Sequence, residues 1–354
     1  MTTIGHRRSL IVLLLFSLSP WNHIAGQASV AAMSSSAYKH LLKSARDGDI
    51  NDQTKLGIAF HYGIGIRSDL AQAEFWLQRA AGMGSPDAQL HLGVLYLQPE
   101  MVADHGPDAL RWLMRAASSG LTSAEYNIGL MYLRGLGTTV NFVEAERWLR
   151  KADRHGVKRA KSTLGILLLG STEPMKKTEG FEFVRKSAKD GDADGLNTLA
   201  YCYQLGIGTE PDLKAAVRLY LQAAKKGNLD AMHSLGVLYS SGNGVPRDPS
   251  EGFKWMKRGC DAGDAPSCWS LGEMYLRGEG VPKNLVLAYS YIGVADANRE
   301  FLAKLAPLLS PEEKSRALTE TEKWMVLHVM QLSALPLYMN HAPTQPSIET
   351  TAGN

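Results

Sequence analysis

Apolar residues recur along this chain at a fixed long interval. Leu56, Leu92, Ile128, Leu164, Leu199, Leu235 and Leu271 each precede a glycine or alanine, at steps of 36, 36, 36, 35, 36 and 36 residues. Four positions after each stands Phe60, Tyr96, Tyr132, Leu168, Tyr203, Tyr239 or Tyr275. In the first period Ile50, Leu56, Ala59 and Phe60 share one face of a helix, and Ala73, Trp76, Leu77, Ala80 and Ala81 share a face of a second. Between them Gly63-Ile64-Gly65 predicts a tight loop, Asp69 an N-cap and Gly84 the end of the hairpin. The second-helix face returns as Ala109, Trp112, Leu113, Ala116 and Ala117, then as Ala145, Trp148, Leu149 and Ala152, and in altered form to Ala288, Tyr291 and Ile292. A unit of two helices cannot bury its apolar face alone, so a period of this length predicts a stacked solenoid. Gly57, in mid-helix, costs about 1 kcal/mol against alanine and predicts close approach of the partner helix.

The run Leu271-Gly272-Glu273-Met274-Tyr275-Leu276-Arg277-Gly278-Glu279-Gly280-Val281-Pro282 resembles the Sel1-like repeat family. The Ala-x-x-Trp and Lys-Ala-Ala elements of other units add to the resemblance, which extends over roughly residues 37 to 325. It implies an all-α, right-handed superhelical solenoid of tetratricopeptide-like αα-hairpins. Two units depart from the pattern. The second has Pro99-Glu100-Met101 where the Gly-x-Gly loop belongs. The fourth has Leu168 for the aromatic, lacks the glycine pair and is one residue short. The glycine pairs elsewhere are loop residues and not a phosphate cradle, because no strand precedes them and no third glycine follows.

The expected layout is a leader and cleavage region at 1–32, a half-unit at 33–50, about seven units over 51–304, a capping region at 305–342 and a disordered tail at 343–354. His6-Arg7-Arg8 followed by apolar Leu10–Leu18 and Pro20 reads as a secretory signal. That apolar run is shorter than the ~20 residues a membrane span requires. The mature chain is therefore expected to be exported, periplasmic or secreted, without a span. Ser310-Pro311-Glu312-Glu313 reads as a capping box opening the last helix.

Charge adds little. The net charge is +3, and without Arg7 and Arg8 36 basic side chains face 35 acidic ones, which gives no reason to expect nucleic acid. There is no His-Glu-x-x-His, Gly-x-Ser-x-Gly, Walker loop or Cys-x-x-Cys, and the ten histidines lack metal-ligand spacing, so no catalytic residue, metal or cofactor is expected. Cys260 and Cys268 flank a turn, and in an exported chain a disulfide between them is expected; the alternative is two small core residues, Cys260 replacing a repeat alanine. The spacing is similar to that of the cysteine-rich Sel1-like proteins, in which every hairpin has such a pair. Cys202 is expected to be a buried thiol.

The resemblance implies that the first helix of each hairpin lines a concave groove. Positions two before the apolar anchor, and two, five and six after it, are expected on the exposed inner face. They include His61, Tyr62, Tyr126, Arg134, Asn197, Tyr201, Gln204, His233, Trp269, Glu273 and Arg277. Tyrosine, tryptophan and arginine are the residues enriched in binding hot spots. The expected function is thus a non-enzymatic, monomeric scaffold or adaptor holding a protein or peptide along the last three units, in envelope regulation or host interaction as the family implies. Two other readings are β-lactam binding or weak hydrolysis, which some cysteine-rich relatives imply and to which Ser36-Ala37-Tyr38-Lys39 adds a nucleophile spacing, and recognition of a peptidoglycan fragment by aromatic stacking.

Overall fold

The computed structural model describes residues 35–295 and 300–332, and of Ser35 and residues 326–332 the backbone alone. Every regular element among the described residues is helical. A lone helix α1 (Ser35–Arg46) precedes seven hairpins. These are α2 (Ile50–Tyr62) with α3 (Leu70–Gly82), α4 (Pro86–Leu95) with α5 (Val102–Ser118), α6 (Thr122–Arg134) with α7 (Phe142–Arg154), and α8 (Lys158–Leu169) with α9 (Pro174–Lys189). Then come α10 (Ala193–Leu205) with α11 (Leu213–Lys225), α12 (Leu229–Ser241) with α13 (Pro249–Asp261), and α14 (Ala265–Arg277) with α15 (Leu285–Ala295). A short α16 (Glu300–Leu305), a 3-10 turn (Ala306–Leu308) and α17 (Pro311–Leu332) close the array. The leader at 1–32 and the tail at 343–354 lie outside the described residues. Among the described residues no helix is long and apolar enough to cross a membrane.

Local chemistry sets the hairpin. Asp69 accepts a hydrogen bond from the Gln72 amide at 3.0 Å, supplying an oxygen to the open amides of α3. Gly63 ends α2 in the left-handed region at φ 68°, where its amide returns to the Ala59 carbonyl. Inside the hairpin, a Cβ on Gly57 would stand 2.6 Å from Leu77 Cγ, and one on Gly272 2.5 Å from Ile292 Cγ1. The recurrent mid-helix glycine therefore serves close helix approach, as its cost in helix propensity implied. In unit 5 Ala200 takes this place opposite Tyr220, and both are fully buried.

Between units, the second glycine of the loop is the seat. A Cβ on Gly280 would lie 2.2 Å from the Pro249 carbonyl oxygen, and one on Gly244 2.8 Å from Leu213 Cβ. Each such loop thus rests on the second helix of the unit before it. Alanines and leucines of successive units fill the space between, giving a core that runs on from Ala73 through Leu113 to Met131. The two irregular units differ as their sequences foretold. In unit 2 the chain leaves α4 early and α5 has 17 residues, with Pro107 inside its first turns. In unit 4 Gly170 follows α8 at φ −73°, without a left-handed turn, and α9 has 16 residues.

The ends are finished by caps. Ala45 of α1 is fully buried against unit 1. Ser310 and Glu313 form the reciprocal capping box, with Ser310 N–H donating to Glu313 Oε2 at 2.9 Å and Glu313 N–H to Ser310 Oγ at 3.2 Å. Cys260 and Cys268 are joined by a disulfide, their Cα atoms 4.5 Å apart, tying unit 6 to unit 7. Cys202 is a buried free thiol, pushed up to about 12 by that burial.

Candidate functional site

The first helices of adjacent units touch, α2 with α4, α4 with α6, α8 with α10 and α12 with α14, whereas no two second helices approach comparably. The first helices therefore form the inner side of the solenoid. Hydrogen bonds between residues 37 apart cross this face from unit to unit. His61 Nε2 lies 3.1 Å from Gln98 Nε2, Tyr126 OH 3.2 Å from Thr163 Oγ1, and His233 Nε2 3.1 Å from Ser270 Oγ. The last two occupy the same repeat positions. His233–Ser270 is thus the histidine version of the Tyr126–Thr163 rung, and it reads as a spacer between helices rather than the start of a nucleophile relay.

These rungs decide which inner residues remain open. His61, Tyr126 and Asn197 were expected on the exposed face and are instead buried, at 6, 6 and 5 % exposure. Adjacent first helices stand close enough for such side chains to fill the seam between them. Tyr62 is half-buried, its ring stacked 4.1 Å from His61 and set edge-on 5.9 Å from His91. Gln204 accepts from Tyr220 OH at 2.8 Å. Trp269 lies 5.1 Å from the Phe301 ring, so α16 covers part of the end of the face. Glu273 pairs with the exposed Arg277 at 3.0 Å within one helix. Arg134, half-buried at the end of α6, stands well apart in sequence from this group.

What stays open is concentrated on units 5 and 6. Leu205 is 47 % exposed and Val237 44 %, on neighbouring inner helices. Beside them in α10, the Tyr201 hydroxyl and Asn197 Oδ1 are buried atoms without a protein hydrogen-bond partner. An exposed apolar strip can take an extended or helical segment of another chain. The period placed Leu205 and Val237 on the exposed inner face, six after Leu199 and two after Leu235, but the binding candidates were chosen among polar and aromatic side chains, so neither was singled out.

The electrostatics describe a face held neutral. Burial, reinforced by His91, pushes the His61 imidazole down to about 4. Burial also depresses His91 and His233 and raises the Asp264 carboxyl near His233. It raises the Tyr62 and Tyr126 hydroxyls and pushes Tyr201 up to about 12. Among the described residues no group of three or more His, Cys, Asp or Glu side chains is arranged to hold a metal ion.

The sequence model for the Sel1 repeat matches residues 52–85, 86–121, 122–156, 193–228, 229–264 and 265–292, passing over the divergent fourth unit. No curated protein matches the chain. Among solved structures, a Sel1 repeat protein from Oxalobacter formigenes is 28 % identical with a TM-score of 0.55, covering 64 % of this chain and 93 % of that one. A protective antigen of uropathogenic Escherichia coli with an SLR fold is 22 % identical with a TM-score of 0.44, covering 99 % and 81 %. Yeast Tom70 is 14 % identical with a TM-score of 0.52, covering 92 % and 73 %, a likeness of fold.

Proposed function

The chain belongs to the Sel1 repeat family, and from that premise we propose that it is an exported, non-enzymatic adaptor that holds a protein or peptide segment against the inner face of units 5 and 6. One observation supports the site: Leu205 and Val237 are large apolar residues left exposed on neighbouring inner helices. The apolar pair supplies the surface that a partner segment would bury. The disulfide supports export, since such bonds persist in oxidising compartments. So does the basic and then apolar order of His6 to Leu18.

Crosslinking capture from the native compartment tests the reading, with the full chain and a Leu205→Lys/Val237→Lys variant side by side. A partner held by the first and lost by the second is the expected result. Equal capture by both removes the site from this face. Cell fractionation with the disulfide trapped by alkylation checks export; a reduced, cytoplasmic pool as the main species would contradict it.

A further inference from the structure

Seven and six positions before the residue of each second helix that faces the mid-helix glycine (Ala200 in unit 5) stand two repeat-equivalent residues, which open the helix in units 1, 3, 5, 6 and 7 and fall within its first turns in units 2 and 4. In units 3 and 7 alone both are large and apolar: Phe142-Val143 and Leu285-Val286. The other units have Leu70-Ala71, Gly106-Pro107, Lys177-Thr178, Leu213-Lys214 and Pro249-Ser250. In unit 7 the pair is covered by the end of the array, where Leu309 and Ala317 of the capping region leave Val286 8 % exposed. In units 2, 5 and 6 the seating glycine of the next loop rests on the first position, as Gly137, Gly244 and Gly280.

Unit 3 has neither cover, because unit 4 lacks the loop that would supply it. Phe142 is 57 % exposed and Val143 75 %, with Val140 at 53 % beside them. The ion pairs Arg150–Glu179 at 2.8 Å and Lys176–Glu146 at 3.1 Å fix the register of α7 against α9. That register brings the first turn of α9, with Met175 at 86 % exposure, alongside the first turn of α7. Four apolar side chains are thus exposed at the loop edge of two consecutive units, away from the inner face.

We propose that this edge is where a second copy of the chain docks, in a two-fold pairing of α7 and α9 against their counterparts. The rim is balanced in sign, with Glu144 and Arg147 on α7 and Glu173 and Lys176 at α9. A balanced rim is complementary to itself under a two-fold axis and exerts no pull on a strongly charged partner. Unit 7 shows how this fold treats such an apolar pair, namely by laying a helix over it, and a second copy brings helices to do so. The exposed apolar area is on the order of 400 Å² per copy, within the range of functional patches on monomers. Doubled, it falls at the small end of protein interfaces, so the pairing is weak and reversible. The pairing does not depend on what the inner face binds, and it places two such faces in one particle.

Sedimentation velocity of the full chain, from about 1 to about 200 µM, tests this. The expected result is a concentration-dependent shift from monomer to dimer that Met175→Lys and Val143→Lys each weaken at least about 10-fold, while Leu205→Lys leaves it intact. Met175 is almost fully exposed, so its variant keeps the melting temperature of the parent and separates lost docking from lost folding. A monomer throughout, a dimer indifferent to Met175→Lys, or growth past the dimer into longer assemblies would each overturn the proposal.

Discussion

Units 6 and 4 are built from the same hairpin and fastened differently. In unit 6 Asn228 caps α12, Gly242 turns the chain at φ 80° and Gly244 seats on unit 5, and the disulfide fastens it to unit 7. Unit 4 lacks a side-chain cap on α8, the left-handed turn and the seating glycine. Side-chain ion pairs tie it to its neighbours instead: Arg150–Glu179 and Lys176–Glu146 to unit 3, Lys161–Asp190 within the hairpin, and Arg159–Asp194 to unit 5. Exposed pairs of this kind contribute about 0–1 kcal/mol each. The difference teaches that the hairpin and its fastening are separable. A unit can keep its internal packing and lose the piece that couples it, which in a quasi-linear array sets where cooperativity is weakest.

The sharpest way to break the comparison is inside the hairpins. A Cβ on Gly180 would meet backbone, Leu169 N at 2.7 Å and Gly165 O at 2.8 Å, whereas one on Gly236 meets the flexible end of Met256 at 2.6 Å. Gly180→Ala is expected to lose about 3 kcal/mol by urea unfolding, and Gly236→Ala less than about 1, because Met256 yields and alanine favours the helix. Equal losses would mean that the backbone contact in unit 4 is not rigid. Acidification weakens the other end of the array. His61 titrates near 4 when folded against an ordinary value of 6.5, so the unfolded chain takes up the proton first. Stability is complete above pH ~6.5 and falls by about 3 kcal/mol toward pH ~4, and His61→Gln flattens the profile. Removing the disulfide with Cys260→Ala/Cys268→Ala is expected to cost about 2–3 kcal/mol. Hydrogen exchange should then show protection lost in units 6 and 7 and kept in units 1 to 3. Ser310→Ala, which removes one half of the capping box, costs about 1 kcal/mol and frays α17 first. Glu179→Gln comes last, at no more than about 1 kcal/mol, and a larger loss would show that the ion pairs couple units 3 and 4 strongly.

The fold was legible because its determinants are local and repeat. The anchor spacing, the capping Asp69, the Ser310–Glu313 box and the mid-helix glycines each carry a stereochemical requirement that one segment meets by itself. The irregular units showed as interruptions of the same rules. The inner face was less legible because exposure there depends on the neighbouring unit. Tyr126 is buried since Thr163 stands across the seam, and Trp269 is partly covered since Phe301 follows in a short helix that the period does not announce. The Phe142 edge was missed for a related reason. Its exposure comes from what unit 4 lacks, and an absent loop leaves no mark on the residues it would have covered.

The seating glycine also bears on how such a chain is inherited. A regular unit holds, in its own loop, the piece that attaches it to whatever stands before it. A duplicated stretch of one period arrives already able to join its predecessor, and no other unit must change to receive it. Arrays of this kind can therefore lengthen by simple copying. Unit 4 cannot be copied to a new place in this way, because its attachment is written partly in Glu146 and Arg150 of unit 3. Its position in the order is fixed where that of its neighbours is not.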